Sequence, residues 1–145
     1  MSKSKLLTLI VGVIIVIAVI TPSYYNSKKN AEISQAKIQM SKFNNAIESY
    51  KEKNFNIDNF VKNAEKNGIS FYNLVNKSNT PKEIISNHID YIKSKDKKDY
   101  AGILLYENIP CKDLNKICYR LYYVDKNGDI LTDTTNKIID LIVNN

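Results

Sequence analysis

The sequence predicts an α+β chain: a long N-terminal membrane-spanning helix that continues into a small globular domain with an antiparallel sheet of three to four strands. Three observations predict it. Leu6 to Ile20 is an uncharged apolar run. An apolar stripe at helical spacing follows it directly. Beyond Gly102 the pattern changes to short segments rich in β-branched and aromatic residues.

The chain has 145 residues, 43% of them apolar and 25% charged. That length allows one compact domain and little more. The averages exclude a multi-span membrane protein and a disordered chain. They hide an uneven distribution, because outside Leu6–Ile20 the apolar share falls to roughly 38%. Within the run only Thr8 and Gly12 interrupt Leu6, Leu7, Leu9, Ile10, Val11, Val13, Ile14, Ile15, Val16, Ile17, Ala18, Val19 and Ile20. As a helix it is about 22 Å long, short of a hydrocarbon core of ~30 Å. Extended over Ser4 to Tyr25 it reaches about 33 Å, and Tyr24 and Tyr25 fall at interfacial depth. Lys3 and Lys5 precede the run, which predicts a cytoplasmic N-terminus. A cleaved signal peptide is the alternative, but no A-x-A pattern follows the run. Residues 1–25 therefore read as an anchor and 26–145 as an exported α+β domain.

The next element carries Ile33, Ala36, Met40, Phe43, Ile47 and Tyr50 at spacings of three and four, which is one helix face. These six are the expected helix–sheet packing residues. No Gly or Pro interrupts Ser23 to Asn67, so Leu6 to about Lys53 is expected as a single helix with a kink at Pro22. An anchor, a short linker and a separate core helix is the other arrangement.

The apolar N-terminal helix, the proline at its exit, the tyrosine pair and the segment AKIQMSKFNNAIESYK (Ala36 to Lys51) resemble the bacterial type IV pilins and the pseudopilins of type II secretion. Ala36, Lys37, Ala46, Ile47, Tyr50 and Lys51 carry the likeness, which covers about residues 6 to 53. Two family features are absent: a leader glycine before the apolar run, and a glutamate near its start. The resemblance implies a structural subunit of a pilus, a secretion pseudopilus or a DNA-uptake machine. It also implies a single-pass inner-membrane protein whose C-terminal domain is periplasmic or extracellular. Its partners would be the membrane and other pilin-like subunits, through the N-terminal helix. A minor or tip-located subunit tolerates the two departures better than a major one.

Further along, Asn59–Lys66 is expected as a short helix with Phe60, Val61 and Ala64 inward and Gly68 as its stop. Thr80-Pro81-Lys82-Glu83 reads as a capped helix start, followed by an apolar face of Ile84, Ile85, His88, Ile89 and Ile92. His88 is expected to pack as a structural residue. Strands are expected at Ile103–Tyr106, Tyr119–Val124 and Asp129–Thr132, the last two joined by an Asn127–Gly128 turn. Lys137–Val143 is a fourth strand or a short helix. Asp125–Asp129 lacks the closing Glu of an EF-hand and reads as a turn.

Cys111 and Cys118 fit a disulfide across the connection between the first two strands, with two free thiols as the alternative. Net charge is +6, from 21 Lys+Arg against 15 Asp+Glu, and Arg120 is the sole arginine. A basic surface made almost wholly of lysine is a weak signature for nucleic-acid reading, so DNA is a secondary expectation. Lys93–Lys98 is a solvated loop or a docking patch. No nucleophile–base pair, metal cluster or phosphate cradle is visible, and there are only four glycines. The sequence thus predicts no enzyme, no cofactor, no metal and no small-molecule substrate. A ligand- or DNA-binding minor pilin, or an anchored accessory protein unrelated to filaments, are the other readings.

Overall fold

The structure is a computed structural model that describes the backbone of residues 3–50, 52, 54–111 and 116–144. The chain divides into two compact units, Met1–Glu32 and Ile33–Asn145. Helix α1, Lys3–Ile47, crosses the division, and Pro22 lies within it. Just before the proline, Thr21 Oγ1 donates to Ile17 O at 2.7 Å, the back-bond that helical threonines make. The helix ends at Ile47, six residues earlier than expected. Ser49 and Tyr50 N–H groups close i→i+3 bonds onto Ala46 O and Ile47 O, tightening the last turn.

The second unit is α+β. After α1 come α2 (Ile57–Lys66), α3 (Pro81–Ile84), β1 (Ile85–Asn87), α4 (His88–Lys93), a 3₁₀ turn at Lys97–Tyr100, β2 (Leu104–Ile109), β3 (Cys118–Tyr123) and β4 (Asp140–Asn144). The sheet order is β1-β2-β3-β4. β2, β3 and β4 are antiparallel as expected, but β1 joins β2 in parallel, so the sheet is mixed. β1 is a correction: 80–92 does not form one helix. Ile84 and Ile85 are buried, and Ile85–Asn87 is drawn into the ladder opposite Leu104–Tyr106. Pro81 starts α3, but Thr80 forms no side-chain cap. The inward residue of α4 is Tyr91, whereas Ile89 and Ile92 are exposed. A β-branched pair prefers a buried strand once a partner is available, and tertiary pairing overrides the helical spacing.

α2 has the cleanest local code. Asn56 Oδ1 accepts from Asn59 N at 3.0 Å as the N-cap. Gly68, at φ 77, ends the helix, with Gly68 N donating to Glu65 O and Ile69 N to Ala64 O, a Schellman pair. Phe60, Val61 and Ala64 are buried, as the sequence predicts.

The 125–129 turn forms, but not as a two-residue hairpin. Gly128 N donates to Asp125 O at 3.1 Å, and only Gly128 within the turn has positive φ. Asp125 Oδ1 accepts from Asn127 N and Asp129 N, so its carboxylate holds the backbone of the turn. Asp129–Thr132 makes only isolated bridges, Val124↔Ile130 and Thr132↔Ile138, and is not a strand. Lys137–Val143 resolves as the strand β4.

Both faces of the sheet are covered. One carries Leu104, Tyr106, Tyr119, Leu121, Tyr123 and Val143 in a core with α1 and α2. The other carries Leu105, Tyr122 and Val124 with Tyr91 and Ile103, and Tyr100 packs against them. This double burial is why β2 and β3 lack a clean polar–apolar alternation. The first core is rich in rings: Phe43–Phe60 centroids are 4.7 Å apart, Phe55–Tyr106 4.6 Å and Phe43–Tyr119 5.9 Å. Gln39 on α1 is a buried polar residue, 4% exposed, with its Oε1 accepting no hydrogen bond among the described residues. Desolvating an amide oxygen that accepts no hydrogen bond costs stability, and Leu has a similar volume. Gln39→Leu is therefore expected to raise stability by about 1 kcal/mol in a denaturant titration.

Candidate functional site

Three features of the chain have functional potential. The first is the stripe on α1. Ala36, Met40, Phe43 and Ile47 are buried, and Ile33 is partly buried against the same core. Tyr50, beyond the helix end, is 3% exposed. Its phenol donates to Glu52 Oε2 at 2.9 Å and accepts from Asn56 N at 3.1 Å, which fixes the connection into α2. The Phe43–Tyr119 contact joins this stripe to β3. In this unit, then, the second part of α1 is a spine laid on a sheet.

The second feature is a polar ladder across the other face of the sheet. His88, the first residue of α4 directly after β1, has Nδ1 3.7 Å from Glu107 Oε2 on β2. Tyr122 on β3 donates to the same Glu107 oxygen at 3.0 Å. Arg120, two residues back on β3, sits directly opposite Glu107 and has Nε 3.5 Å from Asp140 Oδ2 on β4. The His88 ring lies 4.6 Å from that of Tyr122. Burial pushes the Tyr122 phenol pKa up, with Glu107 adding to the rise and Arg120 opposing it. Glu107 of β2, Tyr122 and Arg120 of β3, Asp140 of β4 and the first residue of α4 make the links, so the ladder pins the sheet crosswise. Among the described residues no group of three His, Cys, Asp or Glu is placed to hold a metal ion. His88 packs between Tyr122 and Glu107.

The third feature is a surface tyrosine between lysines. Tyr72 is 41% exposed, with Lys42 Nζ 5.3 Å and Lys77 Nζ 5.9 Å from its ring centroid. The run Lys93–Lys98 is not simply solvated. Lys97 Nζ donates to Tyr91 O and Ile92 O and lies 4.4 Å over the Tyr91 ring, and Asp96 caps the 3₁₀ turn.

Cys111 and Cys118 form a disulfide, Cα–Cα 5.4 Å, across the β2–β3 connection. Closing an eight-residue loop contributes about 2.5 kcal/mol by the chain-entropy relation. Of the anchor residues, Leu6, Leu7, Leu9, Ile10, Val11, Val13, Ile14, Ile15, Val16 and Val19 have side chains outside the described ones. Ile17 and Ile20 are 58% and 59% exposed, and Tyr24 and Tyr25 are exposed beyond them. Among the described residues no helix is long and apolar enough to cross a membrane. No protein-family model, curated protein or solved structure matches this chain.

The tyrosines also set a pH response. Tyr119 is pushed up to about 12 by burial, with Tyr106 and Tyr50 adding to the rise. Tyr50, Tyr91, Tyr106 and Tyr122 are raised too, mainly by burial. A phenol with a raised folded-state pKa gives up its proton first in the unfolded chain. Its contribution is complete below the unfolded value near 10 and is lost as pH climbs toward 12. Melting temperatures are expected to fall between pH 10 and 12, and Tyr119→Phe should make that fall shallower.

Proposed function

We propose that the chain is a pilin-like or pseudopilin-like structural subunit of a type IV pilus, type II secretion or DNA-uptake machine. One observation carries the reading. α1 runs without a break from Lys3 through Pro22 to Ile47, and its residues from Ile33 onward form the core spine of an α+β unit. In sequence that same helix begins with thirteen uncharged apolar side chains between Leu6 and Ile20. An apolar half serves for packing in lipid and against neighbouring helices, and an amphipathic half carries the exported unit. The disulfide at the β2–β3 connection supports an oxidising compartment. Native purification from membranes is the test: this reading requires the chain in a filament or a multisubunit complex, and a dispersed monomer contradicts it.

A second reading is a minor subunit that captures DNA, favoured by exposed Tyr72 between two ammonium groups. DNA retention that falls steeply with salt, and is lost in Tyr72→Ala, would support it.

A further inference from the structure

Among the described residues, two tyrosines carry lysine ammonium groups by the ring, and their settings differ. Tyr91 is 8% exposed with Lys97 Nζ at 4.4 Å, so that pair belongs to the core. Tyr72 is 41% exposed and has two such groups, those of Lys42 and Lys77. The Tyr72 backbone is held from both sides, because Phe71 and Asn73 are each 1% exposed. Lys42 stands on α1, and its Nζ donates to Ser70 O at 2.9 Å. Lys77 Nζ donates to Leu74 O at 2.9 Å. An ammonium has three N–H donors, so each has donors left for another acceptor. Among the described residues no carboxylate pairs with either lysine.

Lys77 also carries backbone strain. Its φ is 63, in the left-handed region that glycine or asparagine takes at less cost. The other described non-glycine residue with positive φ is Asn136, a type that tolerates it. A lysine kept at such a position points to use of its ammonium, since strain of this kind collects at ligand clamps.

Two held ammonium groups without carboxylate partners call for anions, and an exposed ring between them calls for a planar partner. A nucleotide strand supplies both, alternating phosphates with base faces. The same residues select its pairing state. Bases in a duplex are already stacked on their neighbours and offer groove edges, which arginine reads best. The sole arginine, Arg120, is turned to Asp140. An unpaired base has a free face for Tyr72. Resting on the DNA-capturing reading above, we propose that Lys42, Tyr72 and Lys77 bind single-stranded DNA, with one unpaired base stacked on the Tyr72 ring and the phosphates beside it on the two ammonium groups.

The test uses the full chain in detergent and the fluorescence anisotropy of an oligothymidylate of about eight nucleotides. The same strand paired with its complement is one comparison. An abasic strand of equal length, which keeps the phosphates and lacks the bases, is the other. The free strand should bind at least about fivefold tighter than either. Tyr72→Ala should lose that margin, and Tyr72→Phe should keep it because the ring is retained. Lys42→Ala should flatten the dependence of log K on log salt by about 0.7. Lys77→Gly removes an ammonium and relieves the strain, so it should bind about fivefold less tightly at about 0.1 M salt yet melt higher. It decides the matter if Tyr72→Ala does not fold. Equal binding of the free and abasic strands, or of strand and duplex, overturns the proposal and leaves the DNA-capturing reading standing. Unchanged strand binding in Lys77→Gly also overturns it. No binding of any of the three probes overturns both.

Discussion

Asn73→Ala is expected to destabilise the second unit by about 4 kcal/mol, more than any other single truncation of a polar side chain among the described residues. Asn73 is 1% exposed and uses its whole amide. Nδ2 donates to Glu83 O at 2.8 Å and to Ala101 O at 2.9 Å. Oδ1 accepts from Val75 N at 2.8 Å and Asn76 N at 3.0 Å. One side chain thereby ties the 73–76 turn, the end of α3 and the entry to β2. Removing it strands backbone groups that water reaches poorly, each costing about 1–3 kcal/mol. Gly102 is locked to the same amide. It sits at φ +79, and a Cβ there would lie 2.1 Å from Asn73 Oδ1. Gly102→Ala should therefore cost more than 4 kcal/mol in the native background. In an Asn73→Ala background the clash with the amide is gone, and about 1 kcal/mol of left-handed strain is left, plus the nearby Val75 Cβ at 3.0 Å. The two substitutions should be strongly non-additive in a denaturant double-mutant cycle. Additive effects would mean the amide is not the obstacle.

Val13→Lys combined with Ile14→Lys is expected to abolish stable membrane association. A lysine at the centre of a spanning helix costs about 2.5–3.5 kcal/mol, so two cost about 6 kcal/mol. Carbonate-washed membranes report the outcome: the native chain should stay in the pellet and the double variant should move to the supernatant. The second unit should melt at an unchanged temperature, because its core begins only at Ile33. A double variant still in the pellet would mean that residues 6–20 are not what holds the chain to lipid.

The α1 stripe was readable because its signal is local and periodic. Six positions at spacings of three and four define one face, whatever packs on it. α2 was readable from Phe60, Val61 and Ala64 and from Gly68 at its end, but its start lies two residues before the expected Asn59, because the Asn56 cap was not read. β1 was not. Its parallel partner lies some twenty residues later, and Ile84-Ile85 beside Ile89 and Ile92 mimics a helical face until β2 is present. Asn73 was equally silent, because its residue type signals a turn but not which distant carbonyls its amide will reach. Asn56, Asn87, Asp96, Asp125 and Asp133 each accept from local backbone N–H groups, a role their residue types allow without marking which of them will take it. The polar ladder assembles His88, Glu107, Arg120, Tyr122 and Asp140 from segments far apart in the chain, and no spacing rule joins them. The disulfide was legible because two cysteines admit a single intrachain pairing.

The central claim is that an N-terminal helix anchors an exported α+β unit. Protease digestion of intact spheroplasts, with an epitope at each end of the chain, tests it most directly. The account predicts that the C-terminal epitope is digested while a short N-terminal fragment stays protected in the membrane. A C-terminal epitope that survives until the cells are lysed would contradict it.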